Sequence, residues 1–175
     1  MPERVLELGC GPNKTPGAYG VDRHPYAGVD AVVDLDRTPW PLEDTAFDRV
    51  IARHVIEHIE RVEAFMREIH RVARPGALLE IETPHFSSVF SWSDPTHRGH
   101  LSSQWYRPFL QGGYLAAQVG AFELVSSAVT FGRSVRCWIP RLMVRARGLD
   151  WWEKHYAFAY PGRDVFTTLR VVKHG

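Results

Sequence analysis

Apolar residues in this chain come in short runs separated by turn signals, and five of those runs crowd the first half. Arg4 to Leu8, Ala18 to Val21 closing on Asp22, Asp30 to Val33 closing on Asp34, Phe47 to Ala52, and Ala77 to Ile81 each read as a strand. They are apolar and rich in β-branched residues, as strands buried on both faces are. Phe122 to Phe131 and Val165 to Val172 read as two later, longer strands with partial alternation. Val55 to Val72 places Ile56, Ile59, Phe65, Met66, Ile69 and Val72 at helical spacing. A break is expected near Ile59-Glu60, and Arg74-Pro75-Gly76 marks the stop. Gln104 to Val119 predicts a second helix, weakened by Gly112-Gly113, and Pro140 to Arg147 contains a third.

This order predicts an α/β protein with a mostly parallel sheet. Its first connections are unusual. Only residues 9–17 and 23–29 separate the first three strands, whereas a parallel crossover usually takes a dozen residues and a helix. Both crossovers must then be loops or single turns, and one sheet face loses helical cover between the first three strands. A buried parallel sheet needs both faces covered. The Trp-rich C-terminal region (Trp138, Trp151, Trp152, Tyr156, Phe158, Tyr160) or a second subunit, as in a homodimer, is expected to fill the gap.

Composition narrows the class. The 175 residues suit one domain spanning 1–175, with 84–160 read as a lid or substrate insertion followed by a C-terminal cover. A net charge of +1 gives no general attraction to nucleic acid or an anionic membrane. Arg133, Arg136, Arg141, Arg145 and Arg147 form a basic stretch, but such runs are usually solvated faces, and nucleic acid is not an expected partner. Cys10 and Cys137 make no disulfide framework. No signal peptide or membrane span is visible, so a cytoplasmic protein with free thiols is expected.

The chemistry starts at Val5-Leu6-Glu7-Leu8-Gly9-Cys10-Gly11-Pro12, a strand running into a glycine turn. Glycines there let a ligand approach bare backbone. The dinucleotide fingerprint is excluded, because Lys14 stands where its third glycine belongs, and Pro12 removes a donor a pyrophosphate would use. A phosphate-cradling P-loop is excluded for want of Gly-Lys-Ser/Thr. Glu7, Asp22 and Asp34 close successive strands, and parallel strands deliver those ends to one edge. A carboxylate ending the second strand suits a ribose diol, and one ending the third suits an adenine amino group. Taken singly, each Asp also suits an exposed turn.

An ordered set of motifs extends this. Leu6-Glu7-Leu8-Gly9-Cys10-Gly11, Gly20-Val21-Asp22, Asp34-Leu35, Phe47-Asp48-Arg49-Val50-Ile51, His54-Val55-Ile56-Glu57-His58-Ile59 and Arg71-Val72-Ala73-Arg74-Pro75-Gly76-Ala77 follow one another over residues 4–85. The set resembles the small type 11 family of class I S-adenosylmethionine-dependent methyltransferases. The resemblance implies a Rossmann-like sheet with an antiparallel last strand, S-adenosylmethionine as cofactor, and transfer of its methyl to a small-molecule acceptor. It places the methionine part on Glu7, Gly9, Cys10 and Gly11, the ribose on Asp22 beside Arg23, the adenine between Asp34 and Leu35, and the methyl end beside Arg53 and His54. The loop after Gly11 departs from the family, with no room for its first helix. An inactive, cofactor-binding regulatory subunit is the rival reading. Cys10 also reads as a small packing residue, and Glu57-His58 as a helix anchor.

Pro84 to Tyr106 follows the fifth strand and mixes aromatics with His85, Asp94, His97, Arg98 and His100. Three readings stand. His85 or His97 is a general base for an O–H or N–H acceptor. His85, Asp94, His97 and His100 hold a transition metal, although none sit at the i, i+4 spacing of a zincin helix, so no metal site is expected. Or these residues only pin the loop. Phe86, Phe90, Trp92, Trp105 and Tyr106 offer a dry pocket and a π face for a sulfonium cation.

Overall fold

The computed structural model describes residues 2–173. Its elements, in chain order, are β1 (Val5–Leu8), β2 (Tyr19–Asp22), β3 (Ala31–Val32), β4 (Phe47–Arg53), a 3-10 turn at Ile56–His58, α1 (Val62–Val72), β5 (Ala73–Pro84), α2 (Val89–Ser93), a 3-10 turn at Arg107–Phe109, α3 (Ala116–Val119), β6 (Ala121–Val129), α4 (Trp138–Arg147), α5 (Leu149–Tyr156) and β7 (Asp164–Val172). The strands form one seven-stranded sheet in the order β3-β2-β1-β4-β5-β7-β6. The first five run parallel, and β7 is antiparallel to both its neighbours. This is the expected Rossmann-like arrangement. No described helix is long and apolar enough to cross a membrane.

The register assigns the two faces. Leu6 and Leu8 pair with Val50 and Ala52, which pair with Leu79 and Ile81. All six are buried in the main core, under Phe65, Met66, Ile69 and Val72 of α1. The opposite face carries Glu7, Arg49, Ile51, Arg53, Glu80 and Glu82 from the alternate positions of the same strands. There Arg49 pairs with Glu80 at 2.8 Å and Arg53 with Glu7 at 2.9 Å. The uncovered face is thus a polar one, held by cross-strand charge pairs.

The first two crossovers are loops, as expected. The C-terminal tryptophans do not cover them. Trp152 is fully buried, but in a separate cluster with Phe131 and Ala157, against Phe86, Val129 and Tyr156, at the β5-β7-β6 end of the sheet. Phe158 is 79% exposed. The cover over β1 and β2 is the 11–17 loop itself, whose Lys14 side chain lies over Gly20 and whose backbone at Thr15 donates to Glu7. Glu7 and Asp30 are what a helix would otherwise replace, because each ties that loop down: Lys14 Nζ meets Asp30 Oδ2 at 2.5 Å.

On the core face, the β3-β4 connection is plugged by Trp40, 2% exposed and edge-on to Phe65 at 5.6 Å. Its backbone N–H donates to the buried Glu68 at 2.7 Å, and its indole N–H to the Leu35 carbonyl at 3.2 Å. Arg71 closes the same knot, donating to Glu68 and to the carbonyls of Trp40 and Leu42.

Two elements differ from expectation. The helix predicted over Gln104–Val119 is only the Arg107–Phe109 turn and the short α3. Gly112 has φ +85°, and a side chain at Gly113 would strike the Pro108 carbonyl, so the chain turns there instead of continuing a helix. The third helix is longer than expected and is followed by α5, on which the tryptophans sit. We expect Trp40→Ala to cost about 3–5 kcal/mol, the usual range for emptying a buried aromatic site. Urea denaturation checks this, and a loss below about 1 kcal/mol would show that the β3-β4 connection does not depend on Trp40.

Candidate functional site

The glycine turn forms as the sequence suggests. Gly9 and Gly11 sit at φ +59° and +54°, where a Cβ is strained. A side chain at Gly9 would also meet Val55 at 2.5 Å, whereas Gly11 faces open space. Asp22 folds back over this turn. Its Oδ2 accepts from Gly11 N–H and its Oδ1 from His24 N–H, both at 2.9 Å. Each oxygen retains a lone pair for a hydroxyl donor. The Asp22 carboxylate therefore both shapes the turn and stands ready for a diol.

Glu7 is 5% exposed and already shared between Arg53 and Thr15 N–H, the latter at 2.5 Å. Arg53 also reaches the Thr15 hydroxyl at 3.1 Å. Cys10 is buried against Gly20, and burial, with Asp22 and Glu7 nearby, pushes its thiol pKa up. This is a packing environment, since nucleophilic cysteines need the opposite shift. Arg23 is exposed, Asp34 is exposed and paired with Arg37 at 3.2 Å, and Leu35 is buried under Trp40.

At the end of β4 the chain bends sharply, and His54 is left at φ +54°, a conformation few non-glycine residues adopt. Its ring projects between two acids, with Nδ1 3.3 Å from Glu57 and Nε2 3.6 Å from Glu82. Glu57 holds the imidazole above its ordinary pKa. His54, Glu57, His58, Glu82, His97 and Asp164 line a cavity of about 420 Å³, together with Phe90 and Arg163. A neighbouring hollow of about 630 Å³ shares Glu82, Arg163 and Asp164 and extends to Arg133 and Arg141.

The histidine segment divides into two roles. His85 is fully buried and does not line the cavity. Its Nε2 lies 2.8 Å from Glu153, and its Nδ1 2.7 Å from the Ser87 hydroxyl, which accepts from Gly162 N–H. Glu153 also takes the Ser103 N–H and hydroxyl, at 2.6 and 2.8 Å. His85 therefore fastens α5 to the end of β5. His100 stacks on Trp92 at 3.6 Å, and Asp94 takes the N–H and hydroxyl of Thr96. His85, Asp94, His97 and His100 thus do not converge. His97 alone of the two base candidates reaches the cavity. Its Nδ1 lies 2.9 Å from the Ser91 carbonyl, which can only accept, so the Nε2 of the neutral ring is free. Of the five aromatics expected around the methyl, Phe90 faces the cavity, while Trp105 and Tyr106 join the main core.

Reading the sequence missed Glu82, Asp164 and Glu57 as cavity residues. Glu82 was legible, since it ends β5 by the same rule that singled out Glu7, Asp22 and Asp34. Asp164 was not, because only the reversal of β7 brings its first residue beside Pro84.

Comparison with known proteins supports the architecture. Residues 1–127 match the family described as a methyltransferase domain. The chain belongs to this methyltransferase family. No curated protein matches it in sequence. Among solved structures, a Haloferax volcanii methyltransferase in complex with the Trm112 methyltransferase activator is 17% identical, with 99% of this chain and 83% of that one covered and a TM-score of 0.65. An S-adenosylmethionine-dependent methyltransferase from Archaeoglobus fulgidus is 17% identical over 96% of this chain and 86% of its own, with a TM-score of 0.63. One from Mesorhizobium loti is 16% identical over 97% and 93%, with a TM-score of 0.58. Such identities speak for the fold. The methyltransferase family in turn implies S-adenosylmethionine, and the residues fit it: the turn at Gly11 is open to a ligand, and Asp22 sets a buried carboxylate with acceptor capacity at the end of β2.

The Glu153 latch has a pH signature. Burial would raise this carboxyl, but His85 and the two Ser103 donors outweigh that and hold it below the ordinary glutamate value of about 4.3. A depressed native pKa gives stability that is complete above the unfolded value and is lost as pH falls through the native one. Glu153→Gln should therefore flatten the acid limb of the stability curve while costing about 1–3 kcal/mol at neutral pH, where a buried His85 N–H loses its charged partner. Chemical denaturation across pH 3–7 measures both.

Proposed function

We propose that the tips of β1, β2 and β4 hold S-adenosylmethionine and that the adjoining cavity takes a small-molecule acceptor whose O–H or N–H is methylated. The observation that carries this is the cavity of about 420 Å³ that begins at His54, directly after the Arg53 that pairs with Glu7. That size is ordinary for a small-molecule site. Arg133, Arg141 and Arg163 around the second hollow favour an acceptor that carries a carboxylate or phosphate away from its reacting end.

When bound, the cofactor supplies a methyl group on a sulfonium, which departs as a neutral thioether. The protein's tasks are alignment, exclusion of water and removal of one proton. Gly9 and Gly11 hold the methionine part and Asp22 the ribose. His97 takes the acceptor's proton on its free Nε2, with the Ser91 carbonyl holding the ring's tautomer. The cavity would hold the deprotonated acceptor in line with the methyl group that the bound cofactor would supply. Phe90 supplies an apolar wall. Residues 84–109 act as the acceptor's lid in this reading, pinned through His85, Asp94 and His100.

Asp22→Ala should weaken S-adenosylhomocysteine binding by about 1–3 kcal/mol, as removing a hydrogen-bonding carboxylate from a buried diol does. Calorimetry measures it, and an unchanged affinity would remove the ribose role. His97→Gln should keep that affinity but cut turnover by about 10²–10⁴-fold, the usual worth of a positioned base. A screen of acidic small molecules with labelled methyl donor supplies the substrate. An equal fall in both quantities would make His97 a loop anchor.

A further inference from the structure

Two histidines and a carboxylate meet at the floor of the same cavity, and their surroundings prepare each for a cation. One ligand atom from each of Glu57, His58 and His97 lies within 4.8 Å of the other two. The ring of His58 meets that of His97 edge-on, with centroids 4.7 Å apart. Both rings are anchored through the same nitrogen. His97 Nδ1 faces the Ser91 carbonyl at 2.9 Å, and His58 Nδ1 faces the Thr96 carbonyl at 3.3 Å and the Thr96 hydroxyl at 3.0 Å. Thr96 is held in turn by Asp94. Carbonyls accept only, so the proton of each neutral ring sits on Nδ1, and both Nε2 lone pairs are free. A carbonyl on the far nitrogen is the usual way a ligating histidine is oriented.

Glu57 supplies the independent sign. It is 1% exposed, and its Oε2 takes the Thr83 hydroxyl at 3.0 Å. Its Oε1 is buried without a hydrogen-bond partner. His54 Nδ1, 3.3 Å away, is near enough to attract it but outside hydrogen-bond geometry. A buried carboxylate oxygen whose one ion-pair partner is out of hydrogen-bond geometry is costly, and a cation held jointly with the two imidazoles lowers that cost.

We propose that Glu57, His58 and His97 form a site for one divalent transition metal ion, with zinc best suited to a two-imidazole, one-carboxylate set. Tetrahedral donors at about 2.0–2.2 Å from zinc are about 3.3–3.6 Å apart, so the three atoms, now within 4.8 Å of one another, draw together by about an ångström when the ion binds. Three protein ligands leave a position open to an oxygen of the acceptor. This inference rests on reading the cavity as the acceptor's; with the ion bound His97 is a ligand, and an acceptor hydroxyl in the open position would give its proton to water instead. It also replaces the set His85, Asp94, His97 and His100, which the fold scatters, with one drawn from the turn after β4 and the lid.

The test is titration of the metal-free protein with Zn²⁺ by calorimetry and with Co²⁺ by visible absorption, alongside S-adenosylhomocysteine titration of the same samples. One ion per chain is expected, with cobalt bands of a low-coordinate nitrogen–oxygen site. Glu57→Gln, His58→Gln and His97→Gln should each weaken zinc at least about tenfold, while His155→Gln, on exposed α5 surface, should not. Thermal unfolding certifies that each variant is folded, and any one folded variant of the three suffices. Absence of a stoichiometric ion, or equal zinc affinity in wild type and a folded His58→Gln, overturns the site. Because the homologue of the cofactor is titrated separately, loss of metal binding with cofactor binding intact sinks the metal alone, and the converse sinks the methyl-transfer reading.

Discussion

A four-residue strand rises only about 13 Å, so a chain leaving its end can regain its start with a handful of extended residues. β1 and β2 are each four residues long, and the rest of the architecture depends on that brevity. It lets two parallel crossovers be made by loops, at the expense of the helices that would cover one sheet face. The face left behind cannot be apolar. Around Ile51 it is populated instead by Glu7, Arg49, Arg53, Glu80 and Glu82, with Arg49–Glu80 and Arg53–Glu7 paired across neighbouring strands. Glu7 belongs to both worlds. Its carboxylate pins the loop that replaces the first helix and binds the arginine that ends β4. The tips of β1 and β4 are thus positioned by a charge network where most sheets of this kind use helix packing.

That trade concentrates the remaining apolar burial on the other face. Trp40 fills the ground beneath the β3-β4 connection, and its backbone leans on Glu68 and Arg71 of α1. Farther along the sheet, a second and smaller core around Trp152 is joined to the first by the His85–Glu153 contact. This join matters to the site, because the segment between His85 and Ser103 forms the cavity's wall. Both ends of that segment are fixed to one carboxylate, through His85 and through Ser103. The wall is held at its ends while its middle, with Phe90, Asp94 and His97, faces the cavity.

What the sequence disclosed follows from the range of the interactions involved. Strand runs, the α1 stripe and the glycine turn are local patterns, and all appear where the residues place them. So did the shortage of helices, which is a matter of counting residues between runs. The destination of the tryptophans was not legible, since burial of Trp152 depends on partners at Phe131 and Phe86 that no periodicity links to it. The helix expected over Gln104–Val119 failed because its apolar spacing competes with Pro108 and Gly113, whose close approach stops propagation. Among the histidines, type and proximity in sequence suggested that His85, Asp94, His97 and His100 act together. The fold instead sends His85 into the join between cores and pairs His97 with His58, 39 positions earlier, across a contact only tertiary structure creates.

The pairing of His58 with His97 also bears on how one cavity could serve two chemistries. A histidine whose Nδ1 is tied to a carbonyl is equally prepared to accept a proton or to bind a metal, because both use the same lone pair on Nε2. His97 alone does not discriminate between them. Glu57 does. A general base gains nothing from a buried carboxylate oxygen beside it that makes no hydrogen bond. Yet Thr83 hydrogen-bonds the partner oxygen, and His54 leans toward this one from a strained backbone at the end of β4. The surroundings therefore satisfy one oxygen of the carboxylate with a hydrogen bond and leave the other with an ion pair alone. A buried carboxylate oxygen without a hydrogen bond, within 4.8 Å of a ring nitrogen from each of two histidines, is arranged for a positive charge that the described side chains do not fully supply.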